Sequence, residues 1–179
     1  NYYILAIDKG YKPAISSPFY EGKQHLRKGN LVFEYTDEEI KEIARCANDI
    51  VYFAEKYAVV MTDEGIQQVK LRDYQKDMLR NFQNDRFNIV LAARQMGKTV
   101  TASIFNAWYV TFNMDKNTLL LANKSDSTKE IIDKAKTVIE NLPFFMKPGI
   151  IKYDVMNVRC DNGCRLIGQS TTAKSGIGF

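Results

Sequence analysis

Apolar residues return every three or four positions in three stretches of the chain, and that spacing predicts helices with one buried side. In the first stretch, Ile40, Ile43, Ala44, Ala47, Ile50, Val51 and Ala54 follow Thr36-Asp37-Glu38-Glu39. Thr36 and Glu39 stand three apart, the spacing at which hydroxyl and carboxylate satisfy each other's unbonded backbone amides. A helix is therefore expected to start there and run to about Tyr57. In the second stretch the repeating positions are Leu71, Tyr74, Met78, Leu79 and Phe82. In the third, Ile131, Ile132, Ala135, Val138, Ile139 and Leu142 lie behind Ser127-Thr128-Lys129-Glu130, a second capping pattern, and Pro143 to Gly149 ends the helix.

Between these stretches the pattern changes. Phe87 to Ala92 (FNIVLA) and Thr118 to Ala122 (TLLLA) are short, mainly apolar runs, too short for helices and suited to buried strands. Lys98 to about Phe112 holds neither Gly nor Pro and predicts a long helix. Asp63-Glu64-Gly65 reads as a turn, and Asp161-Asn162-Gly163 as the centre of a β-hairpin. Strand, loop, helix, strand, helix is the order of an α/β fold with a parallel sheet covered by helices. The first thirty-five residues, rich in Gly, Pro, Tyr and Lys, show no periodicity and are expected to form an irregular arm packed as a cover.

Composition narrows the class. With 45% hydrophobic and 26% charged residues, the chain has material for a core and reads as a soluble globular protein. No apolar run reaches the roughly 18 residues a membrane span needs. Asn1 to Asp8 lacks the basic lead and long apolar stretch of a secretory signal, so a cytoplasmic address is expected. Cys46, Cys160 and Cys164 are an odd number and suggest no disulfide framework; the last two should face each other across the hairpin turn. His25 is the single histidine, which argues against a zinc site and against Ser-His-Asp or Cys-His catalysis. The net charge of +4 is mild. From Asn141 onward it is more lopsided: Lys147, Lys152, Arg159, Arg165 and Lys174 stand against Asp154 and Asp161. That bias fits either a solvated basic face or an edge turned toward DNA.

The chemistry concentrates in Ala92-Ala93-Arg94-Gln95-Met96-Gly97-Lys98-Thr99, between the expected strand and the long helix. The phosphate-binding pattern G-x-x-x-x-G-K-[ST] is met in its second Gly, its Lys and its hydroxyl residue, with Ala92 in place of the first Gly. The chemistry needs backbone amides turned around phosphate oxygens at a helix N-terminus. Gly97 allows close approach, Lys98 would bridge the β- and γ-phosphates, and Thr99 would hold Mg²⁺. Arg94 is placed to reach a γ-phosphate or to form a structural ion pair. Upstream, Arg72, Tyr74 and Gln75 form a second candidate group. Gln75 carries a donor and an acceptor that match an adenine edge, with Tyr74 packed nearby.

Taken in order, Leu71-Arg72-Asp73-Tyr74-Gln75, Met78-Leu79 and Arg94-Gln95-Met96-Gly97-Lys98-Thr99 resemble the large terminase subunit of tailed bacteriophages, particularly the T-even type. Asp49-Ile50-Val51-Tyr52-Phe53-Ala54, Lys147-Pro148-Gly149-Ile150 and Asp161-Asn162-Gly163 extend the resemblance over most of the chain from Tyr20 onward. It implies a P-loop NTPase fold of the RecA/helicase-like kind. Residues 1–70 would form an arm and a helical lid-like subdomain, and residues 71–179 the front part of the ATPase domain. It also implies ATP and Mg²⁺ as cofactors and hydrolysis driving double-stranded DNA into a prohead. A portal protein, a small terminase subunit and a homo-oligomeric ring are the implied partners. On this mapping Gln75 meets the base, Lys98 and Arg94 act on the phosphates, and Gln95, Met96, Gly97 and Thr99 complete the loop. The family's Walker B acid pair is expected beyond Phe179. Ile150 to Asp154 is rejected as its equivalent because Lys152 interrupts it. Lys174 stands where relatives carry an arginine. A helicase of the superfamily with an upstream glutamine would share loop and fold, and a nucleotide-binding module without catalysis is a further alternative.

Overall fold

The computed structural model describes residues 17–32 and 34–171; the calls on Asn1 to Asp8 and on Lys174 lie outside the described residues. The chain folds as an α/β protein with five α-helices, a two-stranded antiparallel hairpin and a four-stranded mixed sheet among the described residues.

The capping box forms as the spacing demands. Thr36 Oγ1 accepts from the Glu39 amide, and the Glu39 carboxylate accepts from the Thr36 amide. The helix it opens, α1 (Asp37–Asn48), stops earlier than expected, and a second helix, α2 (Ile50–Tyr57), follows at once. Asp49 is the reason. Its backbone is extended, and its carboxylate accepts from the amides of Val51 and Tyr52, so it caps a new helix instead of continuing the old one. The break turns the buried stripe. Cys46 and Ile50 face inward, whereas Ile40, expected inside, is 53% exposed.

α2 leads into β1 (Val59–Thr62) and β2 (Gly65–Gln68), joined by the expected turn at Asp63-Glu64. α3 (Asp73–Asn84) and α4 (Lys98–Phe112) are the second amphipathic helix and the long one. α4 buries most of itself: Ile104, Ala107 and Val110 are fully enclosed, Phe105 stacks edge-on to Phe82 of α3 at 5.4 Å, and Phe112 to Phe53 of α2 at 5.5 Å. The Trp108 indole donates to the Cys46 carbonyl at 2.8 Å, tying α4 to the end of α1. One hydrophobic cluster runs through α1, α2, α4, α5 and the large sheet.

The sheet holds β3 (Asn117–Ala122), β4 (Ile150–Asp154), β5 (Asn157–Cys160) and β6 (Arg165–Ser170) in the order β3-β6-β5-β4. β3 and β6 are parallel; the other two pairings are antiparallel. The Asp161-Asn162-Gly163 hairpin forms between β5 and β6, with the Cys160 amide donating to the Cys164 carbonyl across it. Burial pushes the Cys46 and Cys160 thiols up to about 12, so both are inert at neutral pH. α5 (Ser125–Asn141) lies on the inner face of the sheet. It begins two residues before the predicted Ser127 cap. Ser127 therefore lies inside the helix and caps nothing, and the next hydroxyl, that of Thr128, is buried and donates to the Gln169 carbonyl of β6. Gly168 of β6 makes that approach possible: a Cβ there would stand 2.4 Å from Ile132 and 2.6 Å from Thr128.

Two strand expectations change. β3 exists but is only half-buried, with Leu121 48% exposed. Phe87 to Ala92 forms no strand; Ile89 and Leu91 are fully exposed and Phe87 82% exposed. Strand propensity becomes a strand only when a neighbouring backbone takes up its N–H and C=O groups, and among the described residues none does so here. The described part of the arm does act as a cover. Ile150 at the start of β4 exchanges backbone hydrogen bonds with Arg27 and Gly29, and Leu26 is buried. That contact shields part of an edge strand from stray pairing.

Glu42 on α1 is the most heavily bonded carboxylate of the helical half. It accepts from Lys56 Nζ at 2.7 Å, the Tyr57 hydroxyl at 2.8 Å and the Tyr52 hydroxyl at 3.0 Å. Burial raises its pKa, but the hydrogen bonds from Lys56, Tyr57 and Tyr52 outweigh that and hold it at about 2. A carboxyl depressed in the folded state contributes stability that is whole above its unfolded value and is lost as pH falls toward the folded one. Melting temperature is therefore expected to fall more steeply from about pH 5 to about pH 3 in the wild type than in Glu42→Gln, read by circular dichroism. Parallel curves would remove this role for Glu42.

Candidate functional site

The turn before α4 is built by two left-handed residues. Gln95 has φ +64° and Gly97 φ +70°, and Gly97 is the N-cap of α4. Gly97 adopts this conformation freely, while Gln95 holds it at a cost of about 1 kcal/mol. The first α4 amides therefore open on the loop, at the positive end of a 15-residue helix.

The N-terminal turn of α3 fixes this loop from one side. The Tyr74 hydroxyl donates to the Met96 carbonyl at 3.0 Å. Gln75 is buried; its Oε1 accepts from the Arg72 amide at 3.0 Å and its Nε2 donates to Thr101 Oγ1 at 3.3 Å. Thr101 in turn donates to the Gly97 carbonyl at 3.1 Å, closing a chain of bonds from α3 through α4 back to the loop. The Gln75 amide lies so close that a Cβ on Gly97 would stand 2.5 Å from Nε2.

The other candidates divide by exposure. Lys98 curls back over its own loop and donates to the carbonyls of Ala92, at 2.7 Å, and Ala93. Thr99 is half-buried and its hydroxyl makes no hydrogen bond among the described residues. Arg94 and Gln95 are exposed, and the Arg94 guanidinium pairs with no carboxylate among the described residues. Arg72 contributes its backbone amide; its side chain is exposed. Beside Gly97 and Gln75 opens a cleft of about 330 Å³, walled by Val59, Val69, Leu71, Val100, Ile104 and Val138.

Thr101 was missed from the sequence. A hydroxyl one helical turn, four residues, after the cap glycine was the available signal. Lys147, counted in the basic stretch, is not a surface cation. It is buried and donates to the carbonyls of His25 and Glu140, both at 2.6 Å, and burial lowers its pKa. Ile150 to Asp154 is β4, beside β5 at the far side of the sheet from β3, with Asp154 ion-paired to Lys152 at 2.8 Å.

The fold and the turn define an α/β protein with a glycine-capped loop gripped at the head of its most buried helix. Residues 89–178, half of the chain, match the family described as terminase large subunit, T4likevirus-type, N-terminal. The chain belongs to that family, which places it in phage DNA packaging, with DNA and the packaging machinery as its partners in general. Among the described residues no helix is long and apolar enough to cross a membrane.

The grip makes a stability prediction. Gly97→Ala forces a Cβ into the Gln75 amide and strains a left-handed φ, and is expected to cost about 1–2 kcal/mol, or roughly 2–8 °C in Tm. In a Gln75→Ala background part of that loss should disappear. Equal losses in both backgrounds, measured by thermal denaturation, would mean that the two residues do not meet.

Proposed function

We propose that the chain is the nucleotide-binding front of a DNA-packaging motor, a P-loop NTPase in which residues 92–99 receive the phosphates of ATP with Mg²⁺. The observation that carries this reading is the left-handed Gly97 cap, held by Tyr74 and Gln75, with Lys98 and Thr99 in the first turn of a buried helix. An anion at that terminus meets unbonded amides and the positive end of the dipole.

Each side chain then has a chemical task. The Lys98 ammonium exchanges the Ala92 and Ala93 carbonyls for β- and γ-phosphate oxygens, which are stronger acceptors because they are charged. The Thr99 hydroxyl would hold Mg²⁺, which would draw off phosphate charge. Arg94, exposed and unpaired among the described residues, is free to swing onto the γ-phosphate as charge builds there. Gln75 keeps one lone pair and one N–H beyond the bonds it makes, enough for a base edge at the mouth of the apolar cleft. Hydrolysis also needs an acid to order water and metal, the role of a Walker B pair in motors of this kind. ATP-driven translocation of double-stranded DNA into a prohead by a ring of subunits on a portal, with a small terminase subunit, is the working context proposed.

Isothermal titration of this chain with MgATP tests the binding step. Lys98→Ala is expected to weaken binding at least roughly tenfold, since a charge-assisted bond contributes about 1.5–3 kcal/mol. In the full-length large subunit the same change should abolish ATP turnover. Unchanged affinity in Lys98→Ala, or no heat from MgATP in the wild type, would defeat the proposal. Binding by the wild type without turnover in the full-length subunit would leave a nucleotide-binding module that is not an enzyme.

A further inference from the structure

The outer face of the sheet, opposite α5, carries a transverse row of cations. Lys152 of β4 pairs in register with Arg159 of β5, Arg159 with Arg165 of β6, and Arg165 with Asn117 of β3. All four residues are exposed, while the inward neighbours Val158 and Leu166 are fully buried, so the four side chains share the outward face. Like charges directly opposite on adjacent strands destabilise a sheet. Here Arg159 opposes Arg165 with no carboxylate paired to either among the described residues. Lys152 has one acidic partner, Asp154, in an exposed ion pair that exchanges readily. Asp161, at the hairpin turn, is occupied by the Asn30 amide at 3.1 Å, and Asp115 lies against Gly163 of the same turn.

We propose that Lys152, Arg159 and Arg165, extended by Asn117, form a strip that lies against the phosphate backbone of duplex DNA. Strands about 4.8 Å apart make the row about 14 Å long. Each strand of duplex DNA carries one charge per about 3.4 Å of axis, so a row of this length runs beside roughly four phosphates of a strand, enough for its three cations. Such contacts hold any sequence alike, as a packaging substrate of arbitrary sequence requires. The polyanion also relieves the opposition of Arg159 and Arg165. The strip lies near the C-terminal end of α4, about 22 Å of helix away from the Lys98 loop. It depends on DNA being the family's cargo and not on the nucleotide reading, so either can fail alone.

Fluorescence anisotropy of a labelled duplex of roughly 30 base pairs, titrated with the chain between about 50 and 200 mM salt, is the test. The double variant Arg159→Gln with Arg165→Gln is expected to lose roughly 10- to 60-fold in affinity at 0.1 M salt. The slope of log affinity against log salt should shrink by about 2. Arg159→Lys with Arg165→Lys should keep the wild-type slope, and Asn117→Lys should steepen it by about 1. The Gln variant should melt no earlier than the wild type, because it loses a repulsion, so a binding loss is not an unfolding effect. Two results would overturn the strip: a Gln double variant that binds within about twofold of wild type at unchanged slope, or no salt-dependent duplex binding by the wild type. The second would leave the row to an acidic protein surface.

Discussion

The site depends on a grip between two helices. Gln75 is buried with one end of its amide on the Arg72 backbone and the other on Thr101, and Thr101 holds the carbonyl of Gly97. Tyr74 takes the Met96 carbonyl from the same side. A turn of backbone with a positive φ at Gln95 and Gly97 would not keep one shape unaided; it does so because α3 fills the space a Cβ would need. The aromatic contact between Phe82 and Phe105 makes the two helices one body behind the loop. A change in α3 is therefore a change in the loop.

The rest of the fold serves that arrangement at a distance. α5 presses on the sheet through Gly168 and is pinned at its start by Thr128 and at its end by Lys147, whose ammonium gathers the Glu140 carbonyl and that of His25 in the arm. A buried lysine bound only to carbonyls costs desolvation, and its lowered pKa records that cost. The arm in return covers the beginning of β4. One face of the sheet is thus sealed, and the other carries Leu121 and the cation row into solvent.

Features governed by neighbours in sequence were legible. The Thr36 box, the limits of α4 at Lys98 and Phe112, and the Asp161-Asn162-Gly163 hairpin each rest on contacts within a few residues. Features governed by partners far along the chain were not. Asp49 lies within a helical apolar repeat, so its capping of α2 shows only once the stripe is seen to turn. Phe87 to Ala92 has the composition of a strand, yet strandhood belongs to a pair, and no described residue pairs with it. The candidate site follows the same division. Gly97, Lys98 and Thr99 were visible as a motif, and Gln75 and Tyr74 as a candidate group for an adenine edge, not as the residues that hold the loop. Thr101 joins them through a bond to Gln75 that spans 26 residues, a pairing that the local sequence around either residue does not specify.

The central claim is that the backbone amides of residues 94–99 face a phosphate group. Hydrogen–deuterium exchange of this chain with and without saturating MgADP tests it most directly. Slowed exchange confined to that segment and the first turn of α4 is the result predicted. Exchange there unchanged by MgADP would contradict it.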